Sequence, residues 1–163
     1  AALAGGNVPV VGMSQLMDDV DREPGVTMID WTNGKGTARY WALKLLRDAC
    51  APGDSFVPTQ VQPIGGLHAQ GIFSSETHSR RVVLVNKQYT NATVVVSNNS
   101  ACYALIVDPE SGEGPARRTP CDAGGAVRLG PFASAVVYYE GGDEGVASSS
   151  SDLRHESMKS LMI

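Results

Sequence analysis

Carboxylate side chains are the groups in this sequence best suited to general acid–base chemistry. Four of them lie close together on a polar stretch, and six more fall in turns or near the end: Asp18, Asp19, Asp21 and Glu23, then Glu110, Glu113, Asp122, Glu140, Asp143 and Glu144. Acid–base catalysis needs two groups whose surroundings hold their pKa values apart. No pair here has a spacing that indicates such an arrangement. The sequence therefore predicts a solvated acidic loop and no acid–base pair within these residues.

Metal, nucleophile and cofactor patterns are also missing from the sequence. The histidines are scattered at positions 68, 78 and 155, without the spacing of metal ligands. No Gly-x-Ser-x-Gly elbow occurs, and no glycine-rich loop leads into a helix to hold a phosphate. The adjacent Arg117 and Arg118 are interpreted as a small solvated basic spot. We therefore predict no metal site and no cofactor.

The cysteines and sequons indicate a cellular compartment. Cys50, Cys102 and Cys121 have no CxxC spacing, which argues against a zinc or thioredoxin-like motif. Two interpretations remain open: three thiols in or near the core, or one disulfide between Cys102 and Cys121, with Cys50 free or bonded to a segment elsewhere. Sequons at Asn91 and Asn98 lie at either end of a predicted strand, where glycans can be accommodated. Together these residues favour an extracellular or secretory-pathway protein.

Size and composition limit the functions that need to be considered. The chain has 163 residues, 42% of them hydrophobic, which is enough for the packed core of one ordinary domain. The 13 Lys and Arg residues against 17 Asp and Glu give a net charge of −4, with no basic run, which argues against nucleic-acid binding. The apolar runs are far shorter than the ~20 residues of a membrane-spanning helix. Neither a nucleic-acid partner nor a membrane span is expected.

Residues 1–51 predict a strand, a loop and a helix. The stretch 8–15 (VPVVGMSQ) is short and rich in valine, which is typical of a strand buried on both faces. Thr37 is a predicted N-cap for a helix over Ala38–Ala49, whose apolar side contains Tyr40, Leu43 and Leu46, with Trp41 and Leu45 as further candidates. A single β/α unit cannot cover both faces of its strand, so this unit needs a sheet that these residues do not contain.

After Pro52 the pattern changes to short valine-rich strands at regular spacing. Seven strands are predicted without helices between them: 56–61, 67–73, 81–86, 92–97, 103–108, 126–129 and 132–139. Such a series indicates an antiparallel β-sandwich. The sequence thus predicts a mainly β protein in three parts: the β/α unit of 1–51, a β-sandwich over 52–140, and a flexible tail over 141–163, which begins with the low-complexity run GGDEGVASSSS.

Three stretches resemble parts of a known class of enzymes. They are 26–46 (VTMIDWTNGKGTARYWALKLL), 82–87 (VVLVNK) and 130–137 (GPFASAVV). In order and spacing they resemble the end of the catalytic barrel and the appended β-sandwich of clan-A glycoside hydrolases, particularly the family-39-like group with xylosidases and iduronidases. The resemblance implies that 1–51 is the last unit of a (β/α)8 barrel, with 8–15 as its eighth strand.

The resemblance also implies where catalysis and sugar binding occur. The two catalytic glutamates of the family lie on the fourth and seventh strands, which would precede Ala1, so we expect no catalytic residue in this chain. Ser14 and Gln15, at the end of the barrel strand, and Trp31, in the following loop, are candidate substrate-binding residues. Many clan members carry a sugar-stacking Trp at this strand end, and residues 12–16 contain none. The alternative role for Ser14 and Gln15 is local hydrogen bonding within the loop, and for Trp31 it is to wedge the loop against the helix or the sandwich.

Two functions from different classes follow, and a third, a carbohydrate-binding β-sandwich, is disfavoured because the predicted strands carry few outward aromatic side chains. The first is the C-terminal portion of a secreted glycoside-hydrolase-like protein, in which the sandwich braces a barrel on an upstream segment or a processed partner chain and the ligand is a carbohydrate. The alternative is a non-catalytic extracellular structural or assembly module, in a surface filament or matrix, that reuses the same scaffold. The sequence of the upstream segment distinguishes them, because only an enzyme retains both glutamates.

Overall fold

The structure is a computed structural model that describes residues 27–60, 65–96 and 102–139, together with two short strands at 17–18 and 161–162. It is mainly antiparallel β with one described helix, which confirms the predicted fold class. The elements in chain order are β1 (Met17–Asp18), β2 (Ile29–Asp30), α1 (Ala38–Ala49), β3 (Ser55–Val57), β4 (Thr59–Gln60), β5 (Leu67–Phe73), β6 (Arg80–Asn86), β7 (Ala92–Val95), β8 (Cys102–Val107), β9 (Arg117–Pro120), β10 (Ala126–Leu129), β11 (Ser134–Tyr139) and β12 (Leu161–Met162).

A six-stranded sheet with the strand order β3-β5-β6-β11-β8-β9 forms the centre of the protein. All of its strand pairs are antiparallel. β11 is the last of these strands in the sequence, and it lies between β6 and β8, so that Val137 is opposite both Val82 and Ala104. β11 therefore joins the β5–β6 hairpin to the β8–β9 hairpin in one sheet.

The main core lies between this sheet and a second, two-stranded layer, the β7–β10 ribbon. Alternate residues of the sheet face the ribbon, as period-two patterning requires. The sheet contributes Leu67, Val82, Leu84, Cys102, Ala104, Ile106, Ala135 and Val137, and the ribbon side contributes Ala92, Val94, Val96, Val127 and Leu129. This is the sandwich that the valine-rich strands predict.

The helix α1 covers the opposite face of the same sheet. Its Leu45 and Ala49 are buried against Val107 and Val136, and Trp41 packs at the edge of this contact. β11 is consequently buried on both faces, which explains why its three central residues are all fully buried. α1 has the predicted bounds. The side of the helix that packs on the sandwich carries Leu45, whereas Leu43 lies on another side.

The start of α1 differs from the prediction in one respect. Thr37 occupies the N-cap position, but its side chain makes no capping hydrogen bond to the helix. Its hydroxyl donates instead to the carbonyl oxygen of Thr27 at 2.8 Å, and its backbone N–H donates to that of Met28 at 2.8 Å. Thr37 thus ties the start of the helix to the segment that leads into β2.

Two short parallel pairs complete the described structure. β1 pairs with β2, with Met17 opposite Ile29, and parallel pairing is what a β/α unit requires. β12 pairs with β4, with Leu161 opposite Thr59. The predicted strand at 8–15 lies outside the described residues, as does the predicted tail apart from β12.

β9 is a strand that the sequence does not predict. Its sequence, RRTP, contains two arginines and a proline, and the sequence analysis treats the arginines as solvated. Arg118 is exposed, as that interpretation requires, and its guanidinium lies 3.9 Å from the ring centroid of Tyr103. Arg117 differs from the interpretation, because it is only partly exposed and pairs with Asp108 at 2.9 Å. An edge strand tolerates Pro120 because its outer backbone needs no partner.

A disulfide links Cys102, at the start of β8, to Cys121, which directly follows β9. It closes a loop with a sequence separation of 19 residues, and Cys50 keeps a free thiol. The sequence left open whether the cysteines are all thiols or form one disulfide, and the structure has one disulfide, between Cys102 and Cys121. The bond fastens the β8–β9 hairpin at the end opposite to its turn.

Tyr139 offers a test of the packing beside this disulfide. Its ring packs against the core and its hydroxyl is buried without a hydrogen-bond partner among the described residues. Burial raises the pKa of Tyr139 to about 12, and Arg80 opposes the rise. We expect Tyr139→Phe to raise the free energy of unfolding by about 1 kcal/mol at pH 7, because the variant buries no unpartnered hydroxyl.

The same substitution has a predictable pH dependence. The unfolded chain releases the Tyr139 proton near pH 10, below the pKa in the folded state. The stability of the unsubstituted protein therefore falls as the pH rises from 10 towards 12, and the phenylalanine variant escapes that part of the loss. Urea unfolding at pH 7 and pH 11 measures both effects. Equal stability of the two proteins at both pH values would contradict the prediction.

Candidate functional site

Several elements end or begin at one end of the sandwich. β6 ends at Asn86, β8 ends at Val107, β11 begins at Ser134, and the first turn of α1 lies beside them. Between α1 and the loop after β8 runs a groove of about 590 Å³, which we call the helix–loop groove. Its lining is Thr37, Ala38, Arg39, Ala42, Val107, Asp108, Pro109, Gly112, Glu113, Phe132 and Ser134. Its volume falls within the range of ligand sites, and its walls are mainly apolar with a few polar groups.

The Trp41 side chain connects the two loops beside this groove. Its indole N–H points at two carbonyl oxygens, that of Gly36 and that of Glu113, each at 3.1 Å. The first acceptor belongs to the loop before α1, and the second to the loop after β8. The loop before α1 and the loop after β8 are thereby joined through one side chain.

A buried carboxylate shapes the loop after β8. Asp108 accepts hydrogen bonds from the Ser111 backbone N–H at 3.0 Å and from Arg117 at 2.9 Å. Arg117 also pairs with the exposed Glu110 at 3.1 Å. The oxygens of Asp108 therefore hold the loop in shape, and this network assigns the carboxylate a structural role. The sequence gives little signal of it, because the partners are on different strands.

The Asp30 loop, residues 30–36, precedes α1 and displays Trp31. The buried Asp30 carboxylate accepts hydrogen bonds from the Thr32 backbone N–H at 3.0 Å, from the Thr32 hydroxyl at 2.7 Å and from the Asn33 amide. This ring of local contacts keeps the turn rigid. The Trp31 side chain is 66% exposed, which argues against a wedge between the loop and the helix, and its role as a ligand platform stays a prediction. Ser14 and Gln15, the other predicted substrate-binding residues, lie outside the described residues.

A second cleft, more polar than the first, separates the ribbon from β8 and β9. It has a volume of about 670 Å³, and its lining includes Asn91, Thr93, Arg117, Asp122 and Arg128. Asn91 and Thr93, the first and third residues of a sequon, are both exposed on the outer side of β7. Glycosylation of Asn91 stays a prediction. The second sequon asparagine, Asn98, lies outside the described residues.

The free thiol of Cys50 does not have the surroundings of a nucleophile. Burial raises its pKa, the nearby Asp54 carboxylate raises it further, and Arg81 opposes both. The thiol therefore stays protonated at neutral pH, where a nucleophilic cysteine needs the opposite shift.

Among residues 27–60, 65–96 and 102–139 there is no group of three His, Cys, Asp or Glu side chains that could hold a metal ion. Within those same ranges, no helix has the length and apolar character that a membrane crossing requires.

This fold is similar to part of the fold of known glycoside hydrolases, although the sequences have little in common. No protein-family description matches the sequence, and no curated protein matches it. Several solved structures match this chain in fold. A family 30 endoxylanase from Clostridium papyrosolvens C71 aligns with a TM-score of 0.53 at 13% identity, over 68% of this chain and 30% of that one. A family 30 subfamily 8 xylanase from Clostridium acetobutylicum aligns with a TM-score of 0.54 at 10% identity, over 70% and 30%.

A third match is the catalytic domain of a family 30 xylanase from Talaromyces cellulolyticus, with a TM-score of 0.50 at 11% identity, over 70% of this chain and 27% of that one. The chain thus spans about 30% of the length of the first two structures it resembles. At these identities the likeness concerns the fold. It supports the glycosidase-like fold inferred from the sequence, but not family 39 specifically.

Proposed function

We propose that this chain is the C-terminal portion of a secreted clan-A glycoside-hydrolase-like protein. Residues 1–51 form the last unit of its barrel, and 52–140 form the sandwich that braces the barrel. The observation that carries the proposal is the attachment of α1 to the sandwich through Leu45, Ala49 and Trp41. A helix fixed in this way holds the unit before it in a set position, which is what a brace must do.

The opposite side of α1 supports the same proposal. Leu43 is two residues from Leu45 and so lies about 200° around the helix. Leu43 is half-buried and belongs to neither core cluster in the part of the chain that the structure describes, and the half-buried Tyr40 lies on the same side. A helix with apolar residues on two opposite sides is suited to lie between two layers. We assign the second layer to the barrel strands that precede this chain.

In this proposal the chemistry takes place outside these residues. Two upstream glutamates act as acid/base and nucleophile, and Ser14, Gln15 and Trp31 rim the sugar-binding cleft. Since the neighbouring structures are xylanases, we propose a xylan-type polysaccharide as the substrate of the whole protein. The disulfide and the exposed sequon at Asn91 support an extracellular location.

The proposal is tested on the native protein rather than on an isolated fragment. Intact mass and N-terminal peptide mapping, without reduction, should reveal an upstream segment on the order of 200 residues that carries the rest of a barrel. It is either continuous with this chain or associated with it. Two glutamates at the fourth and seventh strands of that segment are expected. A native protein that begins at Ala1 and has no associated chain would overturn the proposal and favour the assembly module.

A substitution at Leu43 gives a second, independent measurement. In the 163-residue chain alone, Leu43→Ala should lower the free energy of unfolding by no more than about 1 kcal/mol, because the side chain is only half-buried. In the longer native protein the loss should rise to about 2–4 kcal/mol, since the side chain is then enclosed by the barrel. Equal losses in both proteins would contradict the assignment of this helix side to a barrel.

A further inference from the structure

Two large aromatic side chains stand exposed at the groove end of the sandwich. Tyr89 is 86% exposed and Phe132 is 52% exposed. Their rings meet edge to face with centroids 4.7 Å apart, and we call them the aromatic pair. Phe132 also forms part of the wall of the helix–loop groove. The pair and the groove are therefore one continuous surface.

Both loops that carry the aromatic pair are fastened to one buried residue. The side-chain amide of Asn86, a residue that is 1% exposed, donates to the carbonyl oxygens of Thr90 at 2.9 Å and Gly130 at 2.8 Å. Its side-chain oxygen accepts the backbone N–H of Gln88 at 3.0 Å. These bonds hold the turn before β7 and the turn before β11 against each other. The rings are consequently presented in a fixed geometry, although little covers them.

Phe132 keeps its position at a conformational cost. Its φ is +53°, in the left-handed region that disfavours a bulky side chain. Its backbone N–H donates to the carbonyl oxygen of Gln88 at 3.2 Å, so the bend is held by the neighbouring loop. Folding alone does not call for an aromatic ring at such a position, because glycine would adopt this backbone without strain. Residues held in sparsely populated conformations cluster where ligands bind.

We infer that the aromatic pair and the adjoining groove form a non-catalytic binding surface for a neutral polysaccharide. The C–H faces of pyranose rings pack on exposed aromatic rings. The groove beside Phe132 contributes the polar side chains of Glu113 and Ser134 for hydroxyl groups. A rigid surface suits this ligand because few side chains need to be ordered when it binds.

The size of the surface favours a sugar over a protein partner. The exposed parts of the two rings amount to on the order of 300 Å², judged from the usual areas of aromatic side chains. A stable protein interface needs ~800 Å² from each partner. Two or three sugar units in an open groove need far less. The inferred binding surface goes beyond the proposed function. Only the choice of xylan as the first probe rests on that proposed function.

The test uses the full 163-residue chain produced without glycosylation, so that no attached glycan can occupy the surface. Affinity electrophoresis with soluble xylan and with mixed-linkage β-glucan, and pull-down on cellulose, measure binding. The unsubstituted protein should bind at least one of these polymers. Phe132→Gly and Tyr89→Ala should each weaken that binding by about tenfold. Phe132→Gly should keep or raise the melting temperature, because glycine relieves the strained backbone.

Phe56→Ala is the matched control. Phe56 is 59% exposed on the edge strand β3, far from the groove end, so its loss should leave binding unchanged. The inference is overturned if the unsubstituted chain binds none of the polymers. It is also overturned if a folded Phe132→Gly variant binds as before, or if Phe56→Ala weakens binding as much as the other two. None of these results bears on the upstream segment, which the mass measurement tests separately.

Discussion

Replacing Asn86 by aspartate is expected to lower the free energy of unfolding by about 4 kcal/mol at pH 7. The two side chains have the same shape, but a carboxylate cannot donate to the carbonyl oxygens of Thr90 and Gly130. It would also place a buried negative charge directly against both of them. Each carbonyl left without a partner costs about 1–3 kcal/mol, and the charge adds to this loss.

The pH dependence of the aspartate variant separates this mechanism from a general loss of packing. The buried carboxylate of the variant has a raised pKa in the folded state, so its penalty is present at neutral pH and shrinks as the acid is protonated. Urea unfolding at pH 7 and pH 4 should show a smaller difference from the unsubstituted protein at pH 4. Asn91→Asp, an exposed change in the same turn region, is the control and should alter stability by less than about 0.5 kcal/mol. A penalty that does not vary with pH would count against the donor role of Asn86.

Leu45→Ala is the second substitution with a large expected effect. Leu45 is buried between α1 and the sheet, in contact with the cluster that includes Val107 and Val136. Truncation should lower the free energy of unfolding by about 3 kcal/mol, because the lost apolar contacts are accompanied by a cavity that the rigid sheet cannot close. The measurement is urea unfolding followed by both far-ultraviolet circular dichroism and tryptophan fluorescence.

Leu43→Ala in the same 163-residue chain is the matched control for Leu45→Ala. The two leucines lie on opposite sides of one helix, so the substitutions have the same effect on helix propensity and differ only in burial. Coincident transitions by both probes are expected, since the helix and the sheet share a core and should unfold together. If Leu45→Ala cost no more than Leu43→Ala, α1 would not be attached to the sandwich and the bracing function would lose its main support.

The candidate site shows how the sequence could have revealed more. Asn86 follows Val82 and Leu84 at the inward phase of β6, so a polar residue in register with core residues was a visible signal of a buried hydrogen-bonding group. Phe132 gave no comparable signal, because its positive φ follows from a contact with the Gln88 carbonyl oxygen, 44 residues away in the chain. The groove between α1 and the loop after β8 could not be inferred at all.

Local chemistry alone determined a large part of this protein. The periodicity of 38–49 predicted α1 with the bounds that the structure has, and the regular spacing of short strand-like stretches predicted β5 and β10 with theirs. These are signals between residues a few positions apart, and the hydrophobic effect acts on them in any fold that buries one face. The order of the three stretches that resemble glycoside hydrolases also indicated a glycosidase-like fold, which the solved structures support.

Only the tertiary structure decided which distant residues meet. The position of β11 between β6 and β8, the pairing of polar β9 with β8, and the bond between Cys102 and Cys121 all depend on contacts across the chain. The ion pair of Asp108 with Arg117 and the hold of Asn86 on two turns have the same origin. Polar contacts of this kind have no periodicity, because a hydrogen bond or ion pair depends on where two groups are placed in space rather than on their spacing in the sequence.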